Sequence, residues 1–210
     1  MRFNKKSWNY WWKEWIKPIL IAAVLALIIR TFVVQPFKIP SNSMYPTLKP
    51  GDRIFVSKFI YGAKIPFTNI RLPEVREPMF GDIVVFLSPE EKKKYLVKRY
   101  IASGGDRVQI KDGSVYVNGE EKVVLVEDEN ASGGETYKRA FYFGRDKYGI
   151  EGKIIHVPEG HFYVLGDNSA NSRDSRYWGF VPGKNLVGKV FVIYWPIGRW
   201  QLIRGTGESK

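Results

Sequence analysis

The feature that most constrains this chain is a run of apolar residues close to its N-terminus. Residues 18–34 read PILIAAVLALIIRTFVV, in which only Arg30 and Thr31 are polar. As a helix the run would be about 25 Å long, slightly less than the hydrocarbon core of a bilayer. Four tryptophans lie within the first fifteen residues, a position that suits a lipid interface. We therefore predict a basic, Trp-rich leader over residues 1–17 and one transmembrane helix over residues 18–35.

Two other interpretations of the run fit less well. A cleavable secretory signal would need a small-x-small site soon after the apolar run, and residues 35–38, QPFK, offer none. A buried core helix would leave the leader without a purpose. The five Lys/Arg residues of the leader favour an N-terminus on the inside, and a large C-terminal domain can cross regardless of its charge. Residues 36–210 are therefore expected on the outer side of the membrane.

The charge and the residue types missing from the chain narrow the function classes. The net charge of +12 divides into +5 over residues 1–35 and +7 over residues 36–210, without a dense basic run. Such a diffuse excess suits acidic phospholipid better than nucleic acid, so no nucleic-acid partner is expected. The chain has no cysteine, which excludes disulfides and thiol nucleophiles. His156 and His161 lack the spacing of metal ligands, so no metal or cofactor is expected, and His161 is interpreted as structural.

The pattern after the anchor predicts strands. Short β-branched and aromatic runs recur at residues 53–56, 82–86, 95–101, 107–110, 114–117, 122–126, 153–157, 161–165 and 187–195. The tight-turn dipeptides Asp112-Gly113 and Asn118-Gly119 predict consecutive hairpins over residues 106–126. Residues 127–152 are polar and contain glycine, which indicates a possible insert. The fold class is therefore mainly β, an antiparallel β domain preceded by the anchor.

Two serines between prolines follow the anchor, in the stretch IPSNSMYPTL at residues 39–48. Such a stretch on its own is most simply a polar linker. A serine hydroxyl becomes a nucleophile only when a base takes its proton. Lysine can be that base when burial lowers its pKa, and Lys98 lies inside the apolar strand YLVKRYI. Taken alone, a strand lysine is usually solvated.

A third stretch, GDNSANSRDSRYWGFVP at residues 166–182, follows the apolar strand at 161–165. It could be a solvated turn, but it also carries hydroxyls and ion-pair partners able to orient a lysine. Together with GDIVVF at 81–86 and VKRYIASGGDRV at 97–108, these stretches resemble the type I signal peptidases, the bacterial leader peptidases of the Ser–Lys class. The resemblance runs from the anchor to about residue 195, and four ordered blocks are highly specific.

The resemblance implies roles for individual residues. Ser43 matches the nucleophile of the family and Lys98 its general base. Ser41 matches the serine whose hydroxyl joins the backbone N–H of the nucleophile in the oxyanion hole. Ser172 matches the serine that hydrogen-bonds the lysine amine, and Asp174 matches a supporting aspartate.

The resemblance also implies supporting and substrate-binding residues. Asp167 is expected to form a structural ion pair with Arg176. Pockets for small residues at the first and third positions before the cut would draw on eight apolar residues: Phe37, Ile39, Met44, Leu48, Ile54, Val85, Leu96 and Val97. One departure is that Ser169 and Ala170 replace an arginine and an aspartate found in some members, which puts a charge network through those positions in doubt.

The implied function is the removal of N-terminal signal peptides from exported preproteins at the outer face of a bacterial inner membrane. Two alternatives remain open. A self-cleaving Ser–Lys protein of the repressor type would carry a DNA-binding module, and no helix-turn-helix pattern precedes Ser43. A membrane-tethered β domain could bind peptides or lipids without cutting them.

Overall fold

A helix at the N-terminus precedes a β-rich domain. The computed structural model of the chain describes residues 11–28, 34–62, 73–127, 137–203 and 205. A π-helical turn, Trp12–Ile16, continues into helix α1, Lys17–Ile28. Among the described residues, no helix combines the length and the hydropathy that crossing a membrane requires. The expected anchor runs beyond Ile28 into positions 29–33, which lie outside the described residues, and its last two residues belong to a strand.

The described residues form fourteen strands, one further short α-helix and five 3₁₀ turns. The strands in chain order are β1 Val34–Lys38, β2 Arg53–Ser57, β3 Ile83–Leu87, β4 Tyr95–Ser103, β5 Arg107–Lys111, β6 Ser114–Val117, β7 Glu120–Lys122, β8 Leu125–Glu127, β9 Tyr137–Arg139, β10 Ile154–His156, β11 His161–Leu165, β12 Val181–Pro182, β13 Leu186–Trp195 and β14 Gln201–Leu202. Helix α2, Ser175–Trp178, is a single turn.

The strands assemble into two larger sheets and one two-stranded sheet. The larger sheet has the order β1-β2-β13-β3-β4-β11-β12, with β14 also paired to β13, and the smaller sheet has the order β10-β5-β6-β7. Strands β8 and β9 pair only with each other. The pairings are antiparallel throughout. The predicted fold class, mainly β and antiparallel, is therefore confirmed.

The two hairpins predicted over residues 106–126 are confirmed. Strands β5, β6 and β7 pair in sequence. Asp112, Gly113, Asn118 and Gly119 all have positive φ angles between 50° and 88°, which two-residue hairpin turns require. The strand predicted over residues 122–126 is instead the end of β7 and the start of β8, because the chain changes sheets between them.

Strand β1 was not predicted, because Pro36 lies within it and the apolar anchor precedes it. Proline cannot donate a ladder hydrogen bond, so it is confined to edge strands. Strand β1 is the edge of the larger sheet and pairs only with β2. The strand places the chain on the rim of the sheet immediately before the two serines.

Two apolar clusters support the segments that carry the candidate residues. One cluster packs Ile39, Met44 and Leu48 against strands β2, β3 and β13. The other lies between the two sheets and includes Tyr142, from the region expected to be an insert. Tyr142 is 1% exposed, so residues 137–152 contribute to the core. Positions 128–136 lie outside the described residues.

Candidate active site

Ser43 lies in a tight loop whose backbone is held from both ends. It is the middle residue of a 3₁₀ turn, Asn42–Met44. The Ile39 N–H donates to the Asp52 carbonyl, with 2.9 Å between N and O, and closes the loop at its base. Buried Met44 and Leu48 anchor the loop in the core. Because its apolar residues are fixed, the loop presents the Ser43 side chain in a defined place.

Lys98 lies in a central strand of the larger sheet and contacts Ser43. Strand β4 pairs with β3 through Val84 opposite Lys98, and it pairs on its other side with β11. Lys98 is buried, with 3% of the residue exposed, and its Nζ forms a hydrogen bond with the Ser43 Oγ. The structure therefore brings together the two residues that the sequence analysis assigned as base and nucleophile.

Burial shifts the ionisation of Lys98. Loss of solvent disfavours the ammonium form, and this lowers the pKa of Lys98 from 10.5 to about 8, against the opposing attraction of Asp174 and Asp167. An amine with such a pKa is partly neutral near neutral pH, so its lone pair can accept a proton from a hydroxyl. The pair therefore has the chemistry of a nucleophile with its base.

Ser41 and Ser172 lie near the pair in different settings. The Ser41 Oγ is exposed and lies 3.4 Å from the Ser43 Oγ. The Ser172 Oγ is buried and has no hydrogen-bond partner among the described residues, so the expected bond to the Lys98 amine is absent. A Cβ added at Gly166 would lie 2.1 Å from the Ser172 Oγ and 2.5 Å from the Ser43 carbonyl oxygen. Glycine at 166 therefore lets these two segments approach each other.

The ion pairs behind the site differ from the expectation that Asp167 pairs with Arg176. Asp167 pairs with Arg99, with 2.7 Å between Oδ1 and Nε, because Arg99 faces Leu165 at the end of β11 and Asp167 follows two residues later. Arg176 pairs instead with Asp174, with 2.8 Å between Nε and Oδ1. Asp174 is the N-cap of α2 and accepts from the Arg176 backbone N–H, so the short distance along the chain selects this partner.

Other hydrogen bonds tie the Ser43 loop to the segment at residues 166–172. The Thr47 hydroxyl donates to Asp167 Oδ2 at 2.6 Å, and the Asn168 N–H donates to the Ser43 carbonyl at 3.1 Å. Ser169, at the position where the sequence departs from some relatives, is buried and accepts from Arg176 Nη1 at 2.6 Å. The Ser169 hydroxyl thus helps to hold the Arg176 guanidinium in its ion pair with Asp174.

A groove runs along the surface beside Ser43 and Lys98. Five of the eight residues expected to contact substrate line it: Phe37, Ile39, Met44, Leu96 and Val97. The other three, Leu48, Ile54 and Val85, do not line it and are fully buried in the core behind it. Alternation along a strand assigns residues to one face, but it does not distinguish the floor of a groove from the core beneath.

Residues that the sequence analysis missed lie at the groove and under it. Arg173 forms a two-bond ion pair with Glu90 at the rim, with N–O distances of 2.8 and 3.0 Å. Beneath the site, Arg99 was missed although it directly follows Lys98. An arginine inside an apolar strand needs a carboxylate partner if it is buried, and this was the signal available in the sequence. The His161 ring Nδ1 lies 3.0 Å from the Glu159 carbonyl oxygen. In the described part of the chain, no cluster of three His, Cys, Asp or Glu residues could hold a metal ion.

Comparison with known proteins identifies the family. A family model described as signal peptidase, peptidase S26, matches residues 12–195. Signal peptidase I of Pseudomonas aeruginosa is 37% identical over 207 residues, covering 87% of this chain and 73% of that protein. Probable signal peptidase I-2 of Synechocystis sp. is 37% identical over 204 residues, covering 95% of this chain and 80% of that protein.

A solved structure of a signal peptidase I from Enterococcus faecalis V583 is also similar, at 31% sequence identity. It covers 55% of this chain and 98% of its own, with a TM-score of 0.40. The match to the family model and the identity to the Pseudomonas and Synechocystis proteins establish the family. The chain therefore belongs to the peptidase S26 family of signal peptidases and is a serine protease of the signal peptidase I type.

Proposed function

We propose that this chain removes signal peptides from preproteins by means of a dyad in which Ser43 is the nucleophile and Lys98 the general base. The observation that carries the proposal is the hydrogen bond between the buried Lys98 Nζ and the Ser43 Oγ at the side of an apolar groove. Family membership supplies the reaction, and the dyad supplies a way to perform it without histidine.

The first half of the reaction is acylation of Ser43. Neutral Lys98 accepts the hydroxyl proton as the Ser43 Oγ attacks the carbonyl carbon of the bond to be cut. The Ser43 backbone N–H and the Ser41 hydroxyl donate to the oxygen that becomes negative. One such donor typically contributes about 3 kcal/mol to stabilisation of the transition state. The exposure of Ser41 beside Ser43 supports this role.

The second half returns the enzyme to its starting state. Protonated Lys98 gives its proton to the departing amine, which leaves as the new N-terminus of the mature protein. Neutral Lys98 then activates a water molecule that hydrolyses the ester on Ser43, releasing the signal peptide with a free carboxylate. We assign to Ser172 the positioning of the Lys98 amine once substrate is bound, since its buried hydroxyl is otherwise without a hydrogen-bond partner among the described residues. Asp174 orders the same segment by accepting from the Gly166 N–H at 2.9 Å.

The groove beside the dyad is proposed to hold the end of the signal peptide. Phe37, Ile39, Leu96 and Val97 give it apolar walls, which suit small side chains at the first and third positions before the cut. The Phe37 ring packs edge-on against Tyr95, with 5.2 Å between ring centroids. Both rings line the groove, and we expect them to disfavour large side chains there.

We also propose that the N-terminal segment anchors the chain in a bacterial inner membrane, with the β domain on the outer side. Helix α1 exposes apolar side chains around its surface, including Ile19, Leu20 and Leu25, each more than half exposed. Exposed Trp11, Trp12 and Trp15 precede it and suit the level of phospholipid headgroups. Strand β1 then begins nine residues before Ser43, which supports a site close to the membrane.

The proposed reaction is tested with the purified full chain and a preprotein whose signal ends in Ala-x-Ala. We expect one cut after the last alanine, read from the masses of both products. Ser43→Ala should abolish the cut, while Ser114→Ala, in the smaller sheet, should retain it. An unchanged rate in Ser43→Ala would refute the nucleophile. Binding of the preprotein without any cut by the parent chain would favour a non-enzymatic domain.

A further inference from the structure

A second groove lies next to the Ser43 loop and is lined in part by residues of that loop. Tyr45 and Pro46 form one wall, and Ala140, Phe141 and Phe143 form part of another. Its volume of about 370 Å³ falls within the range of about 300–1,000 Å³ that is usual for ligand sites. The proposed reaction steps at Ser43 and Lys98 make no use of this groove.

The Ser43 loop and the segment at residues 166–172 contribute residues to both grooves and so form a wall common to them. Ser43 and Asn171 line the first groove, whereas Tyr45 and Asn168 line the second. The wall is fixed because the Asn168 side-chain amide donates to the Asn42 carbonyl at 3.1 Å, in addition to its backbone bond to Ser43. A peptide whose signal end fills the first groove therefore has the second groove available as its path beyond Ser43.

The second groove offers apolar contacts. Phe141 is 58% exposed and Phe143 is 47% exposed, and the two rings pack edge-on with 5.0 Å between centroids. The Phe143 N–H donates to the Ser169 Oγ at 2.9 Å, which fixes the backbone beside the wall. The charged lining residues are of both signs, Glu127 and Asp167 against Lys138 and Arg139, so the groove has no single charge preference.

We propose that this groove binds the first residues of the mature protein, just after the cut, and that Phe141 and Phe143 contact an apolar side chain there. The inference rests on the proposed function, since it requires the signal peptide to lie in the first groove. It adds a preference for mature-side sequence to an enzyme whose other contacts lie before the cut. The occupant follows from continuity with Ser43, because a peptide chain being cut there extends to both sides of the nucleophile.

The test uses soluble peptides and the purified full chain without lipid vesicles. The peptides share a signal side ending in Ala-x-Ala and differ after the cut, one carrying leucines and the other glycine and serine. We expect the parent chain to cut the leucine peptide roughly fivefold more efficiently by kcat/KM. Phe141→Ala and Phe143→Ala should remove most of that ratio. Phe59→Ala, an exposed aromatic outside both grooves, should keep it.

The possible failures are distinguishable. If the parent chain cuts both peptides equally well, or if the ratio survives in both phenylalanine variants, the inference is wrong while the proposed function stands. A ratio that survives in both phenylalanine variants is also the result expected if the two rings only contact a membrane. If the parent chain cuts neither peptide nor the preprotein, the proposed function itself fails, and the inference fails with it.

Discussion

The Lys98 Nζ forms a hydrogen bond with the Ser43 Oγ although the two residues are 55 positions apart in the chain. One belongs to the central part of a sheet and the other to a loop after its edge strand. The contact depends on the burial of Lys98 on β4 and on the anchoring of the loop by Met44 and Leu48. The fold thus buries the Lys98 amine and places the Ser43 hydroxyl within hydrogen-bond distance of it.

Replacing Lys98 with methionine separates its chemical role from its packing. Methionine keeps a similar volume in the buried position but cannot accept a proton. We expect kcat/KM on a preprotein to fall at least about 10³-fold. The melting temperature should be equal or higher at neutral pH, because the variant no longer buries an ionisable amine. Activity retained in Lys98→Met would rule out the amine as the base.

Replacing Gly166 with alanine tests the approach of Ser172 to the Ser43 loop. The added Cβ would lie 2.1 Å from the Ser172 Oγ and 2.5 Å from the Ser43 carbonyl oxygen, so one of the two must move. A displacement of about 1 Å at a reacting group can lower the rate about 10²-fold, and we expect a loss of that size in kcat. Gly198→Ala, where a Cβ meets nothing within 4 Å, is the matched control. Equal activity in both variants would show that this contact is unimportant.

Replacing Asp167 with asparagine leaves the buried Arg99 guanidinium without its counter-charge. Removing one partner of a buried ion pair typically costs about 3–5 kcal/mol, and we expect a loss in that range in the free energy of unfolding, measured with denaturant. Glu90→Gln, which breaks the surface pair with Arg173, should cost distinctly less. The opposite ranking would contradict the structural role given to the Arg99–Asp167 pair.

Asp82 should make folding sensitive to acid. Burial alone would raise its pKa, but hydrogen bonds from Arg76, Tyr61 and Lys189 outweigh burial and lower the pKa of Asp82 from 3.8 to about 2. A carboxyl whose pKa is lower in the folded state stabilises the fold above the unfolded pKa, and this contribution is lost as pH falls. The stability difference between the parent chain and Asp82→Asn should therefore be full above about pH 4 and should shrink towards pH 2. A difference independent of pH over that interval would contradict this assignment.

Local patterns predicted the strands and hairpins well, because alternation and turn dipeptides are encoded within a few residues. The strands at 114–117 and 161–165 have the predicted bounds. Strand β1 was missed because its pairing with β2 outweighs the poor strand propensity of Pro36. Tyr142 shows a second limit, since its burial between the sheets depends on a fold that local polarity does not reveal.

The candidate site was predictable in its residue types but less so in its pairings. Family resemblance pointed to Ser43 and Lys98, which the structure joins. The partner of Asp167 depends on the register between β4 and β11, which brings Arg99 to it. Similarly, the sequence does not distinguish an apolar residue that lines a groove, such as Leu96, from one in the core, such as Leu48. The register between strands decides the first question, and the packing of the folded chain decides the second.

The pH dependence of kcat/KM on a signal-peptide substrate tests the central claim most directly. An amine can act as a base only when neutral, and burial lowers the pKa of Lys98 to about 8. We predict that kcat/KM rises about tenfold per pH unit below that value and levels off above it, since a single group must lose its proton. A value of kcat/KM that stays constant from about pH 6 to pH 9 would contradict the account.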